Sequence, residues 1–171
     1  IIEASGTASL DLVEHEEADV AVVHDGLPRL ALTARHLPPW PFCLCVRRDH
    51  PLAARTQVSF DEAAAQPLVL LDDSYIITRR LQELAEKTGH PLDVLHYTPH
   101  LSTIWNLVTR GIACGIITGS AVLPESALTA IPIDGLVQQP AVFTKTGRQM
   151  TQDQRTLIAF LKEAFPAAPT A

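Results

Sequence analysis

His96 and His100 stand at His-x-x-x-His spacing, which on one helical face would offer two imidazoles to a zinc ion. Tyr97, Thr98 and Pro99 between them read as strand then turn, so the two rings do not share a face and read as surface histidines. Cys43 and Cys45 lie two apart in an apolar run, on the same side of a strand. That spacing suits a metal or redox pair, or two small core residues; the apolar neighbours favour the core. Asp72-Asp73 offers two carboxylates for acid/base work, but adjacent residues at a strand end face different ways, which favours a turn or helix-start role. Ser, His and Asp are all available for a nucleophilic triad, but their convergence is not readable from sequence. There is no Gly-x-Ser-x-Gly elbow, no P-loop and no Gly-x-Gly-x-x-Gly. No catalytic residue, metal or cofactor is expected.

The elements that would hold these groups alternate between short apolar runs and amphipathic stretches. Run 18–23, closed by His24-Asp25-Gly26, reads as a buried strand, preceded by a helix carrying Leu10, Leu12 and Val13, with Thr7 as a candidate cap. Strands are expected at 42–46, 68–71, 93–97 and 113–117, with shorter ones at 130–133 and 140–144. Ser59 and Glu62 form the Ser-x-x-Glu capping box of a short helix. A second helix carries Ile76, Ile77, Leu81, Leu84 and Ala85, with Gly89 at its C-terminus and Pro91 beyond. Residues 101–110 form another, ended by Gly111, and Thr151 caps a last helix with apolar Leu157, Ile158, Phe160 and Leu161. Strands alternating with helices indicate an α/β fold with largely parallel sheets. Ligands in such folds bind beyond the carboxyl ends of strands, near helix N-termini. The rule points to His24-Asp25, Asp72 to Ser74, the start of the helix at Leu101, and Thr118.

Composition narrows the partners. The 171 residues carry a formal net charge of -6, with 47% hydrophobic and 19% charged residues. That is globular, and it disfavours nucleic-acid binding by this segment, because such affinity comes from Lys and Arg neutralising phosphates. No stretch approaches the roughly 20 apolar residues of a membrane span. Three cysteines without regular spacing fit reduced thiols and a cytoplasmic setting.

The order of motifs resembles the effector-binding domain of the LysR-type transcriptional regulators. The resemblance rests on Ala18-Asp19-Val20-Ala21-Val22, on residues 42–46 followed by Asp49-His50-Pro51-Leu52-Ala53, on the stretch from Leu107-Val108 through Gly111 to Ile116-Ile117, and on residues 140–160. Ala113 stands where the family usually has a second glycine, and Thr118 where it often has proline. Ile1-Ile2-Glu3 matches the family's second strand, so the first strand, first long helix and winged helix-turn-helix are expected upstream.

The resemblance implies two Rossmann-like lobes joined by two crossover strands, like a type 2 periplasmic binding protein. Lobe I is residues 1–45 with 141–171, and lobe II is 46–140. A small effector, expected to bear a carboxylate, would lie between the lobes and modulate DNA binding through the upstream domain. The family's site falls on His24, Trp40, Ser74, Ser102, Thr103 and Thr118, with homodimers or homotetramers as the assembly. Ser74 also suits a cap, Ser102 and Thr103 suit local backbone bonds, and Trp40, among Pro38, Pro39 and Pro41, suits hinge packing. His24 also reads as a solvated turn residue and Thr118 as an ordinary strand end. Asp25, Asp72 and Asp73, if they faced the ligand, would favour an amine or amino acid. The alternatives are a free-standing solute-binding protein of the same fold and, behind it, an enzyme.

Overall fold

The computed structural model describes residues 1–4, 6–24, 29–118 and 127–164. Its elements are α1 (Gly6–Glu14), β1 (Ala21–His24), β2 (Leu32–His36), β3 (Trp40–Arg47), α2 (Phe60–Ala64), β4 (Leu68–Leu71), α3 (Ile76–Thr88), β5 (Val94–Thr98), α4 (Leu101–Thr109), β6 (Cys114–Thr118), β7 (Leu128–Gln138), β8 (Pro140–Lys145) and α5 (Gln152–Ala164). The chain forms two compact units, Ile1–Trp40 with the segment from Val137 onward, and Pro41–Leu136. These borders lie N-terminal of the expected cuts after 45 and 140, because β3 and most of β7 belong to the second unit's sheet.

The first unit is a three-layer sandwich. Its sheet has the order β1-β8-β2, and both outer strands run antiparallel to β8. The expectation of largely parallel sheets fails here, since β8 returns between two strands that both run against it. Side chains alternate across β8. Ala141 and Phe143 pack with Leu10 and Val13 of α1, while Val142 packs with Ile158 of α5 on the other face. Thr151 and Gln154 close a reciprocal box at the start of α5: Thr151 N donates to Gln154 Oε1 at 2.9 Å and Gln154 N to Thr151 Oγ1 at 3.2 Å.

The second unit is built on a five-stranded sheet of order β5-β4-β6-β3-β7. β4 runs parallel to both β5 and β6, and β3 runs antiparallel to β6. The β4 residues Leu68, Val69, Leu70 and Leu71 are all buried, as expected of a strand covered on both faces. The Ser59 box forms as read: Glu62 N donates to Ser59 Oγ at 3.1 Å and Ser59 N to Glu62 Oε2 at 2.9 Å. Gly89 ends α3 at φ 73°, in the left-handed region that favours glycine.

Candidate functional site

The second unit gathers its chemistry at one sheet edge. β4 and β6 start in register at Leu68 and Cys114, and Leu71 at the end of β4 faces Thr98 at the end of β5. β3 runs the other way, so its early residue Phe42 lies beside Thr118 at the end of β6. The loops leaving β4 and β5 lead into α3 and α4, whose N-termini therefore open at this edge. Ser74, Ser102, Thr103 and Thr118 are brought there together.

Hydrogen bonds pre-order these loops. Asp72 Oδ1 accepts from Ser74 N at 3.1 Å and from Ser74 Oγ at 2.5 Å, closing an Asx turn. The turn reading of Asp72 thus holds, and the reading of Ser74 as a helix cap is corrected. Its hydroxyl donates back to Asp72, and the helix begins two residues later behind Tyr75. Tyr75 Oη donates to Pro99 O at 3.1 Å, tying the α3 entrance to the α4 entrance. Thr98 is buried, and its hydroxyl accepts from His100 N at 3.2 Å, which shapes the turn into α4. His100 is the residue that precedes α4, and His96 lies exposed on β5, so neither is on a shared helical face.

These two helix entrances differ chemically from those of α2 and α5. Neither Tyr75 before α3 nor His100 before α4 makes a side-chain cap bond, and neither helix has an acidic residue in its first turn. By contrast α2 has the Ser59 box with Asp61 and Glu62, and α5 has the Thr151 box with Asp153. A side chain thus takes a first-turn N–H of α2 and of α5, whereas the residues before α3 and α4 supply no such acceptor; in α4 Thr103 N donates instead to His100 O at 3.1 Å. Ser102 is exposed and Thr103 half-buried in the first turn of α4, beside those N–H groups. An N-terminus of this kind favours an anion by about 0.3–1 kcal/mol.

His24 and Trp40 belong to the first unit, at the end of β1 and the start of β3, and both are half-buried. His24 is a half-buried strand residue opposite Pro140, not a solvated turn residue. Asp25 lies outside the described residues. Tyr75, Thr78 and Thr98 were not singled out from sequence as site residues. The signal that could have found the last was its place just before a proline at a strand end.

The cysteines are core residues. Cys43, Cys45 and Cys114 are free and buried, and among the described residues no three His, Cys, Asp or Glu side chains converge as for a metal. Burial pushes the Cys43 and Cys45 thiols up from the ordinary 9.0 to about 12. The folded chain therefore holds them protonated where the unfolded chain ionises. Their stabilising effect is complete below pH 9.0 and is lost as pH rises towards about 12. Urea midpoints should fall across that window, and a Cys43→Ala/Cys45→Ala chain should show a shallower fall. Equal slopes for the two proteins would contradict this assignment.

Comparison with known proteins places this arrangement. A family model described as the LysR substrate binding domain matches residues 1–166. The HTH-type transcriptional regulator CysB of Burkholderia cenocepacia is 27% identical over 139 residues, covering 80% of this chain and 44% of that protein. This chain thus spans less than half the length of that curated relative. Among solved structures, the BenM effector binding domain with its effector benzoate has a TM-score of 0.78 at 14% identity, over 98% of this chain and 81% of that one. The effector binding domain of QuiR in complex with shikimate has a TM-score of 0.74 at 12% identity, over 95% of this chain and 78% of that one. The fold is that of the LysR effector-binding domains, with the α/β organisation of type 2 periplasmic binding proteins, and the chain belongs to the LysR substrate binding domain family.

Proposed function

We propose that this chain is the sensing part of a LysR-type transcriptional regulator and that it binds a small carboxylate-bearing metabolite. The observation that carries the ligand class is the pair of uncapped helix entrances at one sheet edge, with Ser102 and Thr103 beside one of them. Backbone N–H groups and hydroxyls hold a carboxylate without a buried cation. Benzoate and shikimate, the ligands of the two related domains, support the same class. His24 and Trp40 of the first unit are the remaining candidate contacts, with Ser74 and Thr118 completing the set. The activity is binding rather than turnover. Ligand binding shifts a population of regulator states and so changes DNA affinity, which resides in a domain outside this segment. The family match supports a homodimer or homotetramer in the cytoplasm as the assembly. Among the described residues no helix is long and apolar enough to cross a membrane. The family match and the regulator relatives favour this reading over a free-standing solute-binding protein.

The test is calorimetric titration with a panel of small organic acids that starts with benzoate and shikimate. A binding acid should lose about tenfold or more in affinity on Ser102→Ala/Thr103→Val, equivalent to about 1.4 kcal/mol. It should also shift promoter binding by the whole regulator. An ester that binds as well as its acid would refute the carboxylate assignment. Unchanged DNA affinity under saturating ligand would refute the regulatory one.

A further inference from the structure

Cys114 and His50 meet in a cavity of the second unit. Cys114 Sγ and His50 Nε2 lie 3.8 Å apart. The cavity measures about 210 Å³ and is lined by both, by apolar Pro67, Val108 and Ile112, and by Arg47, whose guanidinium pairs with Asp49. Ile112 is 53% exposed, so an apolar wall stands open to solvent. The volume is below the roughly 300 Å³ of pockets for drug-sized ligands, which limits any attached group to a few heavy atoms. The cavity sits at the start of β6 and the end of α4. Thr118 and Ser102, at the candidate ligand edge, occupy the opposite ends of the same two elements.

A backbone contact fixes the tautomer of the imidazole. Leu52 N donates to His50 Nδ1 at 3.2 Å, so Nδ1 carries the lone pair and, in the neutral ring, Nε2 carries the hydrogen. That N–H faces the sulfur. The arrangement is wrong for a metal ion, which needs the lone pair of Nε2. It suits a thiol that reacts as its anion, because a donor to sulfur favours thiolate over thiol. Burial works the other way and pushes the Cys114 thiol up from the ordinary 9.0. Attack by Cys114 is therefore slow at neutral pH and gains as pH rises, and the His50 contact offsets part of the burial penalty.

We propose that Cys114 is a thiol-exchange site, at which a small organic disulfide leaves half of itself as a mixed disulfide in this cavity, with His50 as the donor to the reacting sulfur. The Cys114 proton goes to solvent, and Sγ attacks one sulfur of the disulfide. A new S–S bond forms as the old one breaks, and the departing sulfur leaves as a thiolate that takes up a proton. The Cys114 sulfur is oxidised and the departing one reduced, so the disulfide is the only oxidant and a free thiol reverses the step. Cys43 and Cys45, at 2% and 0% exposure, are the internal references, and the Cys43 thiol donates to Pro41 O at 3.8 Å. The inference concerns a second place in the unit and stands apart from the ligand assignment.

Treatment of the full-length protein with cystamine, read by peptide mass spectrometry, tests this. Cys114 should take up cysteamine on the order of tenfold or more faster than Cys43 and Cys45, and a thiol reductant should reverse it. His50→Asn keeps an acceptor near the place of Nδ1 and removes the Nε2 donor. It should slow the reaction at Cys114 by about tenfold and move its pH profile to the alkaline side. His50→Gln places an amide N–H near the place of Nε2 and should recover part of the rate. Equal rates at the three cysteines would overturn the proposal, since access would then come from unfolding. So would an asparagine variant with an unchanged rate and pH profile. If that variant unfolds, Cys43 and Cys45 report it by reacting together with Cys114, and the order in the unaltered protein with the glutamine variant decides.

Discussion

Gly115→Ala should destabilise the second unit by about 2–3 kcal/mol, the upper part of the range for overpacked cores. A Cβ built on Gly115 meets Ile104 Cγ2 at 2.6 Å, closer than real Cβ contacts come, with Val108 Cγ2 at 3.6 Å and Val69 O at 3.8 Å. Ile104 offers little relief. It is fully buried, and the offending methyl sits on its β-carbon, where branching stiffens χ1. The helix must therefore move away from β6. At roughly 2–4 °C per kcal/mol for a chain of this size, the thermal midpoint should drop by on the order of 5–10 °C. Ile104→Leu moves the branch outward and removes that methyl. The double variant should be less destabilised than the two singles added together, by about 1 kcal/mol. Strict additivity in the cycle would show that contact with Ile104 is not the cause. Because α4 carries Ser102 and Thr103, the same substitution should weaken ligand binding, and Ile104→Leu should restore part of it.

How much of this was legible in the chain depends on whether the deciding contact is local. The Ser59 box, the Gly89 terminus, the four residues of β4 and the start of α4 at Leu101 all depend on residues a few positions apart, and all appear as read. β2 leaves no mark in the sequence because only Leu32 of its five residues is buried, so the pattern carries no alternation. The sequence pattern marks only residues 130–133 of β7, which runs from Leu128 to Gln138. Pro132 and Gly135, at φ 66°, broke the pattern; as the last strand in its sheet, β7 tolerates both. Antiparallel pairing in the first unit was hidden because β8 is more than a hundred residues from β1 and β2 in sequence, so no local signal sets its direction. The same holds at the site. Hydroxyls at strand ends could be nominated from type and position. That Ser74 turns its hydroxyl back to Asp72, while Tyr75 reaches Pro99, rests on loop geometry.

Thr78→Val should cost about 1–3 kcal/mol, although it preserves shape and adds only apolar surface. Thr78 is fully buried in the first turn of α3, and its hydroxyl donates to Leu71 O at 2.7 Å. Valine leaves that carbonyl with its side-chain donor removed and without water in reach, and the penalty is the desolvation of the carbonyl rather than the modest net worth of the bond. The bond also fixes the length of the loop between β4 and α3. Asp72, Ser74 and Tyr75 hang between its two ends, and Asp72 N donates to Thr98 O at 3.0 Å on the neighbouring strand. Loosening α3 at Thr78 therefore reaches Tyr75 and, through Pro99, the entrance of α4. Two readouts separate this positioning role from a stability loss alone. Thr78→Ser keeps the donor and should recover most of the ligand affinity lost in valine, while losing some packing of its own. Under conditions where both variants are fully folded, valine should bind a carboxylate ligand more weakly than serine. If the two bind equally, the Leu71 bond holds the core together and does not place the site.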